Sequence, residues 1–448
     1  MSGIVSPEQV EIKEVSIRSE RFKDGQSLFV AGEQNDAPVA LEMSIYENIY
    51  MPYLTGYIYI QDDNDVVRVL NLKGTKRLKI VFRSPNTVQF IEKTFIITSI
   101  KRSTKVNDQM SHLLLQIVED HGYFNELNKI NKSYNGTAIE VIDKILTDNT
   151  SKKLLQRTKE SYQDPIRYLV TWQTAYEAIS TIMNHTSTDN GMPYFFYSTL
   201  FSNDLVLTDL ETILQTPSFN KDNPFTYSQA NINRNTSFEE QALSISAVNS
   251  TYMNNSLSMA KMGGYGSFID ILDTGSGKRI PKHLDMTKEF KNIFEAIPVF
   301  NEYEFPIDDK FRVDDKPEKT INDYESNVYT ALPAQPYIDG KKGLLPNINA
   351  TKNLILKSNF MKYLANNSYK IQIPGYLFAV KNINRSVGSQ IDIKILKEGI
   401  TDNMSSVTDD RKSGDHVILS KRHIFDFVDN THVVSMRVGR IADRKRIE

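Results

Sequence analysis

The chain has 448 residues, with 53 Lys and Arg against 55 Asp and Glu, and no cysteine. Near-neutral charge excludes a surface built throughout for a nucleic-acid backbone, which would be clearly basic. The missing cysteines exclude disulfides, thiolate zinc sites and a cysteine nucleophile together.

Hydrophobic residues at 40% and charged residues at 24% fit a globular protein. The length leaves room for about three domains of roughly 150 residues each. Met1 to Val10 contains Pro7, Glu8 and Gln9 and has no basic start followed by an apolar run, so no secretory signal is expected. No stretch of about 18 apolar residues occurs, so no membrane span is expected either. The chain reads as one made and folded in a cytoplasm.

Residues 1–120 read as β structure. Tyr53 to Ile60 is aromatic and β-branched and runs into the turn cluster Asp62-Asp63-Asn64. In Lys76–Arg83, Leu78, Ile80 and Phe82 occupy alternate positions, the pattern of a half-buried strand. Lys93–Arg102, a polar connection Ser103–Met110 and Ser111–Val118 read as a hairpin.

Residues 121–222 read as a mixed α/β unit. Thr137 and Glu140 have capping-box spacing, with Ala138, Ile142, Ile145 and Leu146 on one helical face. Thr174 and Glu177 repeat the box ahead of Ala175, Ala178, Ile179, Ile182 and Met183. Pro193 to Thr199 and Leu205 to Thr208 read as paired strands across a turn at Ser202-Asn203-Asp204.

Residues 223–350 are irregular, with an insertion and a contribution to a second β domain. Ile307–Lys319 reads as a long loop. Residues 351–448 return to β structure after a helix at Asn353–Leu364. Tyr369, Ile371 and Ile373 alternate before a turn at Pro374-Gly375, and Ile391, Ile393 and Ile395 alternate next. Val417–Phe427 and Thr431–Val438 then form a hairpin around Asp429-Asn430.

The two ends share a pattern. Phe95 to Lys101 is followed by Ser111-His112-Leu113-Leu114, and Val417 to His423 by Thr431-His432-Val433-Val434. Each is a long strand, a polar turn and a return strand opening with hydroxyl, His and two aliphatics. Two readings stand: a chance likeness of ordinary hairpins, or two related β domains separated by an insertion. The second would let three chains present six similar positions around one axis, with His112 and His432 as equivalent structural positions.

No motif singles out chemistry. Asp273-Thr274-Gly275-Ser276 resembles the aspartic-peptidase turn, but no second copy supplies the other carboxylate, so a strand-ending β-turn is favoured. Gly263-Gly264-Tyr265-Gly266 and Gly275-Ser276-Gly277-Lys278 lack P-loop spacing and read as turns. The seven histidines show no zinc-helix spacing. A glycosidase could draw its two acids from distant parts of the chain, and no pair stands out. Arg437, Arg440, Arg444, Lys445 and Arg446 read as a solvated basic tail, or as a contact for an acidic surface or nucleic-acid backbone.

Four stretches resemble the baseplate hub subunit of T-even-like contractile-tailed phages. They are Ser133-Tyr134-Asn135-Gly136; Trp172 through Met183 as the second helix; Pro193 to Leu200 leading into Leu205–Leu214; and Ser413-Gly414-Asp415-His416-Val417-Ile418 with Arg422-His423-Ile424-Phe425. Gly264 to Ser267 and Ile373-Pro374-Gly375 add to them. Trp172, Ser413, Gly414 and His423 are the motif positions.

The resemblance implies an α+β, mainly β chain with two tail-tube-like antiparallel β-barrels, an intervening α/β domain and a large insertion. It further implies a homotrimer in the virion's tail baseplate, placing six barrels beneath a hexameric tail tube and a central spike on the other face. Tape-measure and wedge proteins are further partners. The hub portion of type VI secretion spike proteins is related, so the hub of a phage-derived secretion or tailocin device is an alternative. No catalytic residue, metal, cofactor, membrane contact or sequence-specific nucleic acid is expected. Rival readings are a virion-associated hydrolase, peptidase or glycosidase, and a receptor-binding fibre, for which shafts and Gly-rich repeats are missing.

Overall fold

A computed structural model describes residues 6–19, 22–29, 39–63, 65–72, 74–106, 110–158, 166–227, 237–250, 256–273, 278–304, 312–313, 316–331, 348–396, 408–410, 412–443 and 445. Asn64, Thr274 to Gly277, most of 307–319, Arg444 and Arg446 therefore lie outside the described residues.

Seven strands come first: β1 (Glu11–Ser19), β2 (Phe22–Phe29), β3 (Val39–Asn48), β4 (Thr55–Asp62), β5 (Arg77–Arg83), β6 (Ile91–Lys105) and β7 (Ser111–Glu119). Successive strand residues face opposite sides of a sheet. Leu78, Ile80 and Phe82 on β5, and Leu113, Leu115 and Ile117 on β7, are thereby buried together. The β6–β7 hairpin is present. β6 continues to Lys105, through residues read from sequence as a connection, because backbone pairing with β7 does not depend on side-chain polarity.

The helix Asp120–Leu127 leads to β8 (Ile130–Gly136), the helix Ala138–Asn149, β9 (Leu154–Gln156), β10 (Ile166–Gln173), the helix Ala175–His185, β11 (Tyr194–Tyr197) and β12 (Leu205–Asp209). Both capping boxes form. The Glu140 amide donates to the Thr137 hydroxyl at 3.3 Å, and the Thr137 amide to the Glu140 carboxylate at 3.1 Å. The second box has 3.2 and 2.8 Å between Glu177 and Thr174. The two helices bury Ile142, Ile145, Ile179 and Ile182 in one apolar cluster with Ile166 and Val170 of β10.

Sequence patterning assigned little between 223 and 350 beyond a strand ending at Asp273, yet the segment is well populated. It holds β13 (Phe225–Tyr227), β14 (Ala247–Ser250), β15 (Gly266–Asp273), β16 (Lys278–Asp285), the helix Met286–Ala296, β17 (Arg312–Val313), β18 (Lys316–Thr320) and β19 (Asn327–Ala331). β16-β15-β19 form a small sheet and β17-β18 a ribbon. The helix buries Met286, Phe290, Ile293 and Phe294. Interspersed Lys and Glu hide that stripe in the sequence.

The helix Ile348–Asn366 precedes β20 (Ser368–Pro374), β21 (Gln390–Ile395), β22 (Gly414–Asp426) and β23 (Thr431–Gly439). Lys357 on this helix is buried and donates its ammonium to the carbonyls of Met183 and Thr186, at the end of the helix Ala175–His185. A cation there complements the negative end of the helix dipole.

The fold is α+β and mainly β, dominated by one large antiparallel sheet. Its order is β14-β20-β23-β22-β3-β4-β7-β6-β5-β1-β2, with β21 beside β22 and β13 beside β21. Both ends of the chain thus share a sheet, joined where β22 pairs with β3. Phe425 and Phe427, from the end of β22 and just beyond, lie in the apolar cluster of the first seven strands. Burying a phenylalanine contributes about 1.5–3 kcal/mol, so the join is packed as well as hydrogen-bonded. Among the described residues, no helix is long and apolar enough to cross a membrane.

The Thr137→Ala variant is expected to lose about 1 kcal/mol of stability through its missing N-cap. Urea unfolding measures this, and an unchanged midpoint would show that the box contributes nothing.

Candidate functional site

The described residues concentrate their buried charge where the two halves of the sheet meet. β3 carries Met43, Ile45 and Glu47 on its inward face, so the pleat delivers a carboxylate to the core at the strand's end. Beyond its bulge, β22 carries Lys421, His423 and Phe425 on the inward face, with Lys421 and His423 fully enclosed. The Lys421 ammonium lies 3.2 Å from the Glu47 carboxylate and donates to the Arg385 carbonyl at 2.9 Å. His423 Nε2 stands 3.4 Å from Glu47.

A second cluster has the same composition. Glu119 ends the inward series Leu113, Leu115, Ile117 on β7, and Lys93 lies on the inward face of β6 with Ile91, Phe95 and Ile97. Lys93 donates to Glu119 at 2.8 Å, His121 Nε2 lies 3.0 Å away, and Lys152 lies 3.7 Å away.

Both carboxylates grip one segment, the turn between β11 and β12. The Ser198 hydroxyl donates to Glu119 at 2.8 Å, and the Leu200 amide donates to Glu47 at 2.9 Å. Lys93 completes the hold by donating to the Ser202 carbonyl at 2.7 Å. Leu200 and Phe201 then enter the apolar cluster of the first seven strands. The tip of the α/β unit is thereby fastened between the two β halves.

Burial by itself raises a carboxyl pKa, but Lys421, His423 and the Leu200 amide outweigh it and hold Glu47 well below its usual range. Glu119 is likewise held down, by Lys93, His121 and Lys152 against its burial. Burial pushes His423 down, with Glu47 opposing and Lys421 reinforcing. His432 is pushed further down by burial and by the neighbouring His423 and Lys421.

The positions named from sequence fall in different places. His423 and His432 come together, with Nδ1 and Nε2 3.0 Å apart. Gly375 lies so close that a Cβ there would collide with the His432 ring. His112 is, like His432, the second residue of a hairpin's return strand, but it is half-buried and bonds the Tyr59 hydroxyl at 2.7 Å. The Ser413 hydroxyl receives the Ile395 amide at 2.9 Å, and Gly414 opens β22 at φ 108°.

Trp172 does not belong to a helix. It sits at a bulge in β10, 75% exposed and at φ 52°, and the helix starts at Ala175. Asp273 ends β15 opposite Lys278, the first residue of β16, and the four residues between lie outside those described.

Glu47, Lys93, Glu119, His121 and Lys421 were not singled out in the sequence. A signal exists for four of them: each strand residue places a charge on the apolar phase of its strand. His121 lies beyond β7 and carries no such mark.

No protein-family model matches the chain, and no curated protein matches it. Among solved structures, it is similar to the tail protein from Neisseria meningitidis MC58, with 10% sequence identity over 95% of this chain and 96% of that one and a TM-score of 0.48. It is also similar to the 43 kDa tail protein of prophage MuSo2 from Shewanella oneidensis, with 10% identity over 96% and 100% and a TM-score of 0.48. The E. coli c3393 protein, a component of the type VI secretion system, aligns at 8% identity over 94% and 79% with a TM-score of 0.41.

Glu47→Gln leaves Lys421 buried without its counter-charge, a loss of about 3–5 kcal/mol. Glu47→Leu combined with Lys421→Met is expected to recover most of that in denaturant unfolding. Acid acts in the same direction on both kinds of group. Carboxyls held below 4.5 contribute stability that is complete above that value and is lost as pH falls below it. Histidines held below 6.5 contribute stability that begins to fall below 6.5. The urea midpoint of the native chain should therefore decline from 6.5 downward, whereas His423→Asn with His432→Asn should delay that decline toward 4.5. An identical profile for both proteins would rule the histidines out.

Proposed function

We propose that the chain is a structural subunit of a contractile phage tail: the baseplate hub, acting as a homotrimer that adapts a hexameric tail tube to a trimeric central spike. The observation that carries this reading is a five-strand module that occurs twice. β3-β4-β7-β6-β5 and β14-β20-β23-β22-β21 follow the same spatial path. In each, the strands come first, second, fifth, fourth and third along the chain. Every neighbouring pair in both paths is antiparallel.

Doubling converts a threefold assembly into six similar modules, the mismatch that a tube-to-spike adaptor has to bridge. The Ser413 to Ile418 and Arg422 to Phe425 motif of the family falls on and just before β22, the strand that joins the two modules. A join made of backbone pairing and buried charge suits a part that transmits force. On this reading the tube sits on one face of the ring and the spike on the other, with tape-measure and wedge proteins as further neighbours. The protein resides in the virion's baseplate after assembly in the host cytoplasm. It has no catalytic residue and needs no cofactor.

Light scattering of the purified chain, alone and with its spike protein, should give three copies per particle, and imaging should give a ring with six similar lobes. A monomer under both conditions would sink the proposal.

A further inference from the structure

The two modules differ in one respect that the chain alone does not explain. In β22, pairing with β21 ends at Val417, a bulge follows between Ile418 and Ser420, and Ser420–Asp426 then pairs with Asn48–Glu42 of β3. In β6, pairing with β5 ends at Ile96, a bulge follows between Ile97 and Ser99 and a second between Ile100 and Arg102, and the strand pairs on to Lys105 with β7, the one strand beside this half among the described residues. A bulge re-aims a strand. In β22 it turns the strand toward β3, and in β6 it turns the strand toward an open side.

Burial follows the same contrast. Inward residues of β22 alternate as buried to its end, whereas residues 100–105 of β6 are exposed on both faces. The counterpart of β3 in the second module is β14, which pairs with β20 and is otherwise open among the described residues. Among the described residues, each copy therefore shows one strand edge of each kind without a strand beside it.

We propose that β14 of a second copy pairs antiparallel with the free half of β6, reproducing between copies the β3–β22 join made within each one. This rests on the trimeric reading above and names the contact that would close it. The occupied join fixes the register. The bulges align Ile117 with Val438, hence Gln116 with Arg437, Tyr57 with Lys370, and Ser44 of β3 with Asn249 of β14; Ser44 faces Ile424, the residue opposite Val433. The same alignment matches Val433 with His112, and the residue opposite His112 is Thr104. Asn249 of one copy thus meets Thr104 of the next, and Ser250 meets Ser103. The contact is heterologous, with one edge giving and the other receiving, and so closes a ring when the rotation between copies is a third of a turn. Lys101 and Arg102 along this half discourage unspecific strands.

The natural chain has no cysteine, which makes cross-linking a clean test. Facing residues of paired strands stand about 4.5–5.5 Å apart, within disulfide reach. Thr104→Cys with Asn249→Cys, oxidised after assembly, should run as covalent dimers and closed trimers on a non-reducing gel. Either single variant should remain monomeric there, and an equal mixture of the two singles should stop at dimers. Circular dichroism checks that each variant is folded. If the double variant scatters light as a trimer but does not cross-link between copies, the strand pairing is wrong and the trimer stands. If it scatters as a monomer at every concentration, the pairing and the trimeric reading fall together.

Discussion

The interaction on which the rest of this structure depends is a pair of buried carboxylates holding one turn. Glu47 and Glu119 stand at the inner ends of β3 and β7, and each has a lysine and a histidine beside it. Between them they take the Ser198 hydroxyl and the Leu200 amide. Three parts of the chain that are distant in sequence are fixed at one place. Enclosed ion pairs are weak sources of net stability, because removing charges from water offsets much of their attraction. What they supply here is geometry: a shifted strand or a withdrawn turn leaves an uncompensated charge in the core.

The strand β22 extends that constraint into the sheet. It pairs with β23 along its length on one edge, while its other edge pairs first with β21 of the second module and then with β3 of the first, the bulge near Leu419 marking the change of partner. Lys421 and His423 lie beyond the bulge, so the charged cluster and the strand exchange form one unit. Phe425 follows, stacked on His432 with ring centroids 4.4 Å apart and packed against Phe82 of the first module. Relative motion of the two modules would break hydrogen bonds, ion pairs and aromatic contacts at once. For a protein proposed to sit between a tube and a spike, a rigid intrachain join sets the spacing that joins between chains must match.

Local patterning made much of the fold legible before any coordinates. The two capping boxes set the starts of the helices Ala138–Asn149 and Ala175–His185, because cap chemistry involves neighbours three residues apart. Alternation placed β5, β7, β20 and β21 for the same reason. The hydroxyl-His-aliphatic likeness located two hairpins that occupy corresponding places in the doubled module. Residues 223–350 were illegible because their elements are short and their apolar stripes are interrupted by Lys, Glu and Asn. Trp172 was drawn into a helix by its proximity to one.

The sequence by itself determined the mainly β character, the helix starts and the likeness of the two hairpins, since each depends on spacings of a few residues along the chain. Tertiary structure alone decided that β22 would cross from one module to the other, that two Glu-Lys-His clusters would close on the Ser198–Ser202 turn, and that His423 would meet His432 while His112 stayed half exposed. Those outcomes depend on which strand edges face one another across the fold. A pleat records which side a residue faces and carries no record of what waits there.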